Sequence, residues 1–322
     1  MKDINVAIAG TWAFHTEDFV ERNRRIPGCH MTAVWDQDIS AGKAFAEKLN
    51  LKYYERYDDL LVNPEIDAVL ITAATRDHAD LAIRTAQAHK HMLVEKAPML
   101  TAAEGKAVCQ AVKEAGVHYV FSDPVLKPEA QQLKRMMQEG VFGQVIMMTV
   151  RHAHNMGLSG QLPDRFFHRE EAGGGVAIDL GCHGIHMLHW FFGMPNRCVA
   201  ASSCITDRAK ASQVEDNASV TFRFENDVIG VTQSGWAGGG MQNSIDLYGT
   251  KGCAHAFGGQ VHYALADKVW HTLTKTELPP DGMKPMNMFL DTLINGVSHP
   301  EYGVDEAAQL AAMIEMARNA LK

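Results

Sequence analysis

A lysine, a carboxylate and an imidazole offer the most chemistry in this chain. The stretch "GGGVAIDLGCHGIH" sets Asp179, His183 and His186 at i, i+4 and i+7 of a helix expected to begin near Val176, so all three share one face. A carboxylate one turn from an imidazole can orient it and raise its pKa, the arrangement of a general base that removes a proton from a hydroxyl. Taken alone, an Asp-x-x-x-His spacing reads as an ordinary helix ion pair. The run of glycines in front and a lysine elsewhere favour the functional reading. That lysine is Lys96 in "MLVEKAP", which ends an apolar run on Glu95-Lys96 and is followed by Pro98. An ammonium so placed can stabilise an oxyanion as it develops.

The elements that must position these groups show two rhythms. In the first third, "INVAIAG", "HMTAVWD", "IDAVLITA", "HMLVEK" and "HYVFSDP" read as strands. The helical patterns "ISAGKAFAEKL", "HADLAIRTAQAHK" and "AAEGKAVCQAVKEAG" lie between them. The last has a capping box, Thr101 with Glu104, and stops before Gly116. Strands too apolar to face water, alternating with helices, predict a doubly wound parallel sheet with ligands at the carboxyl ends of its strands. Beyond "SDPVLKP" come a helix, "PEAQQLKRMMQEG", and a strand, "QVIMMTVRHAH". The helical stretch "VAIDLGCHGIHMLHWFFG" follows, then a period-two meander in which Val220, Phe222 and Phe224 share a face and Asn226-Asp227 turn the chain. This is an α+β half with a large, open, mostly antiparallel sheet. The boundary falls near Pro124, giving a Rossmann-like α/β domain over 1–123 and a substrate-binding and oligomerisation domain over 124–322.

The loop "AIAGTWAFHTED" decides how a cofactor would be held. Gly10 can make the tight turn of a dinucleotide loop, but Trp12 and His15 stand where the second and third glycines belong. The second strand ends on Asp36, which reads either as a solvated carboxylate opening the "DQDIS" turn or as the group that would hold the ribose diol of NAD and repel the extra phosphate of NADP; the next residue is Gln37, not Arg.

The bulk properties narrow the classes further. With 30 Lys and Arg against 38 Asp and Glu, the formal charge over 322 residues is −8, without a long basic run, which argues against nucleic acid and anionic membrane as partners. No stretch approaches the ~20 apolar residues of a membrane span. The 6 cysteines are scattered without a C-x-x-C pair, as expected of reduced thiols in the cytoplasm.

"VEKAP", "GGGVAIDLGCH", "VEDNASV" and "IDLYGTKG", in this order, resemble the glucose–fructose oxidoreductase / inositol dehydrogenase / MocA (Gfo/Idh/MocA) family along essentially the whole chain. The resemblance implies NAD or NADP as cofactor, NAD being favoured by Asp36, and hydride exchange with a carbinol of a sugar, polyol, inositol or related molecule. It implies Lys96, Asp179 and His183 as the catalytic group. Gly10, Thr11, Trp12, Asp36, Thr75, His78, Glu95 and Lys96 would line the cofactor. Three departures stand out: Ala97 replaces the family's proline after Glu-Lys, "AATRDH" keeps His78 but lacks the usual Pro and Asn, and Trp12 replaces a loop glycine.

His154 and Asn155, at a strand end, and His186 are expected to meet substrate hydroxyls. The histidines between 152 and 189 lack a recognised zinc spacing, so no metal is assigned. The reading is an NAD-dependent dehydrogenase of a polyhydroxylated small molecule, a homodimer or homotetramer paired through the open sheet. Two rivals share the motifs: a glycosidase that uses NAD transiently, and a non-catalytic sensor of NAD or sugar.

Overall fold

The structure, a computed structural model, describes residues 3–123, 126–238 and 242–322; Pro124, the expected boundary, lies outside the described residues. The chain divides into two compact units: Met1–Asp123 with Met283–Ala312, and Pro124–Gly282 with Met313–Lys322.

The first unit alternates strands and helices. In order they are β1 (Ile4–Ala9), α1 (Thr16–Asn23), β2 (Cys29–Trp35), α2 (Ile39–Leu49), β3 (Lys52–Tyr54) and α3 (Tyr57–Leu61). Then come β4 (Ala68–Ile71), α4 (His78–Gln87), β5 (His91–Glu95), α5 (Ala102–Ala115) and β6 (Tyr119–Ser122). The sheet order is β3-β2-β1-β4-β5-β6, every pair parallel. That is the Rossmann order, whose direction reverses between β1 and β4 and opens a crevice at the strands' carboxyl ends. Val6 to Ala9 and Ala68 to Ile71 are fully buried, which explains their unbroken apolar runs. The capping box of α5 is present on both sides, and Gly116 closes the helix at φ +65°. The edge strand β3 was not expected: three residues, "KYY", carry no apolar run.

The second unit begins with α6 (Pro128–Gln138), β7 (Val145–Ala153), α7 (Arg169–Ala172), α8 (Val176–Asp179) and α9 (Gly181–Phe192). It continues through β8 (Arg197–Ser203), α10 (Asp207–Ser212), β9 (Asn217–Arg223), β10 (Ile229–Gly235) and β11 (Gln242–Gly249). The strands end with β12 (Gly252–Phe257), β13 (Gln260–Leu265) and β14 (Trp270–Leu273). The sheet runs β14-β13-β12-β11-β7-β10-β9-β8, antiparallel except for the parallel pair β7–β10. Val220, Phe222 and Phe224 are buried together, and Asn226 turns the chain at φ +59°.

Small residues bring α9 down onto this sheet. A methyl on Gly184 would lie 2.2 Å from Thr232 Oγ1, and one on Gly230 2.9 Å from a Leu188 methyl. The helix expected to run unbroken from Val176 is instead split at Leu180, whose N–H closes on Val176 while its carbonyl receives the His183 N–H.

The chain ends with α11 (Pro285–Asn295) and α12 (Val304–Ala320). The expected boundary near Pro124 places 283–312 in the second half. In the structure those residues belong to the first unit: α11 packs on β5 and β6, and the Tyr302 ring lies 5.7 Å from that of Phe121. The apolar faces that these helices cover are made far away in sequence, so periodicity could not assign them.

Candidate functional site

In the first unit the expected cofactor residues gather at the carboxyl ends of β1, β2, β4 and β5. Gly10 takes φ +87°, and a Cβ there would lie 2.3 Å from the Ala73 backbone, so only glycine lets the two loops approach. Thr72, not anticipated, ties them: its Oγ1 donates to the Gly10 carbonyl at 2.6 Å and its own carbonyl receives the Ala13 N–H at 2.9 Å. Asp36 is buried, and Oδ2 accepts both the N–H and the hydroxyl of Thr11 at 2.6 Å, while Oδ1 accepts the Asp38 N–H at 2.8 Å. The carboxylate is thereby fixed against the loop after β1. Asp38 caps α2, and the N–H groups of Ala41 and Ser40 hold its carboxyl below the usual range. Trp12 is half-buried and Thr75 buried.

His78 is fully enclosed, Nδ1 2.9 Å from the Ala97 carbonyl and Nε2 3.1 Å from that of Ala73. Two acceptors favour a doubly protonated ring, whereas burial favours the neutral one; burial wins, and the imidazole is held below its ordinary value. His78 therefore straps the loop after β4 to the residue following Lys96, and contact with a ligand would cost it one of those bonds. Glu95 ends β5, buried beside Ser122, and Lys96 follows it, half-buried.

In the second unit Asp179 ends α8 and His183 lies in the first turn of α9. Asp179 Oδ2 accepts the Trp236 indole N–H at 2.9 Å. The His183 ring, 9% exposed, stacks on that of His152 from β7, with centroids 4.5 Å apart and planes 24° from parallel. His186 is fully buried. His154 follows β7; its Nδ1 accepts the Met156 N–H at 3.2 Å, which places the ring proton on Nε2. Asn155 beside it is exposed.

Four supporting residues have no role assigned from sequence. Trp236 and His152 lie far along the chain from the groups they touch. Glu215 and Asp216, seen only as part of "VEDNASV", now have structural tasks. Glu215 Oε1 accepts the Gly175 N–H at 2.9 Å and its carbonyl accepts that of Val176, which anchors the start of α8; Arg169 pairs with the other oxygen at 2.9 Å. A Cβ on Gly175 would lie 2.3 Å from the Glu215 carbonyl, hence the glycine. Asp216, fully buried, takes the N–H groups of Ile205 and Thr206, and its carbonyl takes that of Trp236. Among the described residues, no three His, Cys, Asp or Glu side chains group as metal ligands, and no helix is long and apolar enough to cross a membrane.

A Rossmann crevice with a carboxylate closing the second strand, in a chain whose other unit carries a carboxylate and an imidazole on helices packed against its sheet, defines a class of two-part oxidoreductases. Residues 4–122 match the family description "Oxidoreductase family, NAD-binding Rossmann fold", and residues 130–255 match "GFO/IDH/MocA C-terminal domain". The chain belongs to the Gfo/Idh/MocA family. It is 27% identical over 236 residues to an uncharacterized oxidoreductase of Synechocystis, a match spanning 68% of this chain and 62% of that protein. It is 28% identical over 240 residues to the myo-inositol 2-dehydrogenase of Thermotoga maritima, spanning 72% of this chain and 69% of the relative. The fold superposes on a levoglucosan dehydrogenase in complex with NADH and levoglucosan at a TM-score of 0.83, with 18% identity, over 99% of this chain and 97% of that one.

Proposed function

We propose that this chain is an NAD-dependent dehydrogenase that oxidises or reduces a carbinol of a sugar, polyol or inositol. The observation that carries the reading is the pair of anchored groups in the second unit. Asp179 and His183 sit on successive short helices, each side chain held by a neighbour from the same sheet or the loop that follows it. Family membership supplies the reaction class, and the names of the relatives supply the substrate class.

The crevice residues fit the cofactor. Gly10, Thr11 and Trp12 would follow its diphosphate, Thr75, Glu95 and Lys96 would border it with the enclosed His78 bracing their loops from behind, and the Asp36 carboxylate would hold the ribose diol. Asp36 also disfavours the extra phosphate of NADP by charge. NAD, when bound, supplies the hydride acceptor for oxidation. For this chain's residues the work is protonic and electrostatic. His183 takes the hydroxyl proton of the substrate, Asp179 orients the reacting group, and Lys96 stabilises the oxygen as negative charge builds on it. His154 and Asn155 would set the remaining hydroxyls, whereas His186, fully buried, has no surface to offer substrate and would act only through the residues packed on it.

Self-association belongs to the same reading. On the sheet face turned away from α9, Met147, Val199, Tyr248, Phe257 and Trp270 are between 40% and 61% exposed, an apolar area suited to a second copy. A cytoplasmic setting agrees with the 6 cysteines, all unbridged.

The test is a panel of myo-inositol, levoglucosan, glucosides and sugar acids with NAD, followed by nicotinamide absorbance. Turnover should fall by roughly 10²–10⁴-fold in His183→Ala and in Lys96→Ala while NAD still binds. Full activity in either variant would remove that residue from its role. Glycoside cleavage without net NADH would move the reading to a glycosidase.

A further inference from the structure

The groups that hold a reacting side chain can matter as much as the side chain, and here one buried residue holds two things at once. Trp236 is fully buried directly after β10. Its indole N–H donates to Asp179 Oδ2 at 2.9 Å. Its backbone N–H donates to the Asp216 carbonyl at 2.8 Å, so the main chain cannot drift. Its carbonyl receives the N–H groups of Gly157 and Leu158, at 3.0 and 3.3 Å, from the loop that carries His154 and Asn155. A Cβ on Gly157 would lie 2.9 Å from the Trp236 Cβ and 3.0 Å from its carbonyl oxygen, so the loop is seated in close contact with the tryptophan. The rings of Phe166 and Phe167 meet the indole edge-on at 6.4 and 5.4 Å and limit its rotation.

We propose that Trp236 is a positioning residue, whose indole fixes the rotation of the Asp179 carboxylate while its backbone fixes the 154–158 turn. The proposal rests on the role given to Asp179 above. An indole suits the task because it donates one hydrogen bond, accepts none and does not titrate. A tyrosine or histidine could reverse the bond or exchange a proton with the carboxylate; tryptophan holds it without competing for protons. A bond made by a rigid bicyclic ring locked by two phenylalanines also leaves the carboxylate little angular freedom, and orientation at this scale governs rate strongly.

The test is a double-mutant cycle on the full-length protein with NAD and the best substrate of the panel of myo-inositol, levoglucosan and glucosides. Trp236→Phe keeps the aromatic packing and removes the N–H. It should lower kcat on the order of 30-fold with little change in the KM for NAD, and by less than about twofold when Asp179 is already Ala, which leaves the indole no acceptor there. Equal losses in the two backgrounds would overturn the proposal and leave the dehydrogenase reading standing. Full activity of Asp179→Asn would overturn the reading of Asp179 and the proposal with it. Replacement of Trp236 by 3-benzothienylalanine, which keeps the bicyclic shape without the N–H, repeats the test should the Phe variant fold poorly. Without any substrate, the Trp236 indole proton should resonate downfield in wild type and move upfield in Asp179→Ala; an unmoved resonance would count against the bond.

Discussion

The imidazole of His152 lies nearly parallel to that of His183, 4.5 Å away, one ring on β7 and the other in the first turn of α9. His152 alternates with Met148 and Val150 on the strand face that α9 covers, so strand period and helix start meet at this contact. A flat neighbour fixes the plane of the ring that is to receive a proton, and such pairs are worth about 0.5–1.5 kcal/mol beyond buried area.

If the plane is what matters, His152→Phe should keep turnover within about threefold, while His152→Ala should lower it roughly tenfold. Steady-state rates on the panel substrate decide it, and equal activity in the two variants would show that the stack is incidental.

Asp36 joins the loop after β1 to the end of β2 through both oxygens. Asp36→Ser should weaken NADH binding on the order of tenfold, since a charged acceptor for Thr11 is lost. It should also raise relative affinity for NADPH by removing a like charge. Titration with each nucleotide measures both; an unchanged preference would separate Asp36 from the ribose.

Gly184 lets α9 pack closely against Thr232 of β10. Gly184→Ala puts a methyl 2.2 Å from Thr232 Oγ1 and 2.7 Å from its Cβ. Overpacking of this kind costs about 1–3 kcal/mol, so Tm should drop by several degrees and turnover should fall as His183 shifts. Adding Thr232→Ala should recover part of both, because the nearest atom is removed.

His78 gives the fold a pH dependence with a definite sign. Burial lowers its pKa in the folded state, so below the ordinary value of 6.5 the unfolded chain binds a proton that the folded chain refuses. The contribution is complete above that value and is lost as the pH falls through it. Melting at about pH 7.5 and about pH 5.5 should show a smaller acid-induced drop for His78→Asn than for wild type, even if the variant starts lower. An identical drop would mean that other groups carry the acid sensitivity.

Local signals were readable where a side chain reports on its own neighbours. The capping box of α5, the boundaries of α2, the Asn226 turn and the buried runs of β1 and β4 all follow from residues within a few positions. Much of what supports the site acts across long separations. The Asp179–Trp236 bond joins residues 57 apart in sequence, and that from Gly175 to Glu215 joins residues 40 apart. Neither leaves a periodic trace. The split at Leu180 was equally hidden, since the apolar pattern of 176–192 is that of one helix and the interruption is visible only in the backbone bonds around Leu180. Strand β3 is too short for periodicity to register.

The return of Met283–Ala312 to the first unit has a bearing on synthesis. The strands of the nucleotide-binding sheet are all translated by residue 122, yet Phe121 gains its Tyr302 neighbour, and β5 and β6 their covering helix α11, only once residues 285–302 have left the ribosome. A nascent chain paused anywhere between would hold that half unfinished, with the apolar flank of β5 and β6 still uncovered.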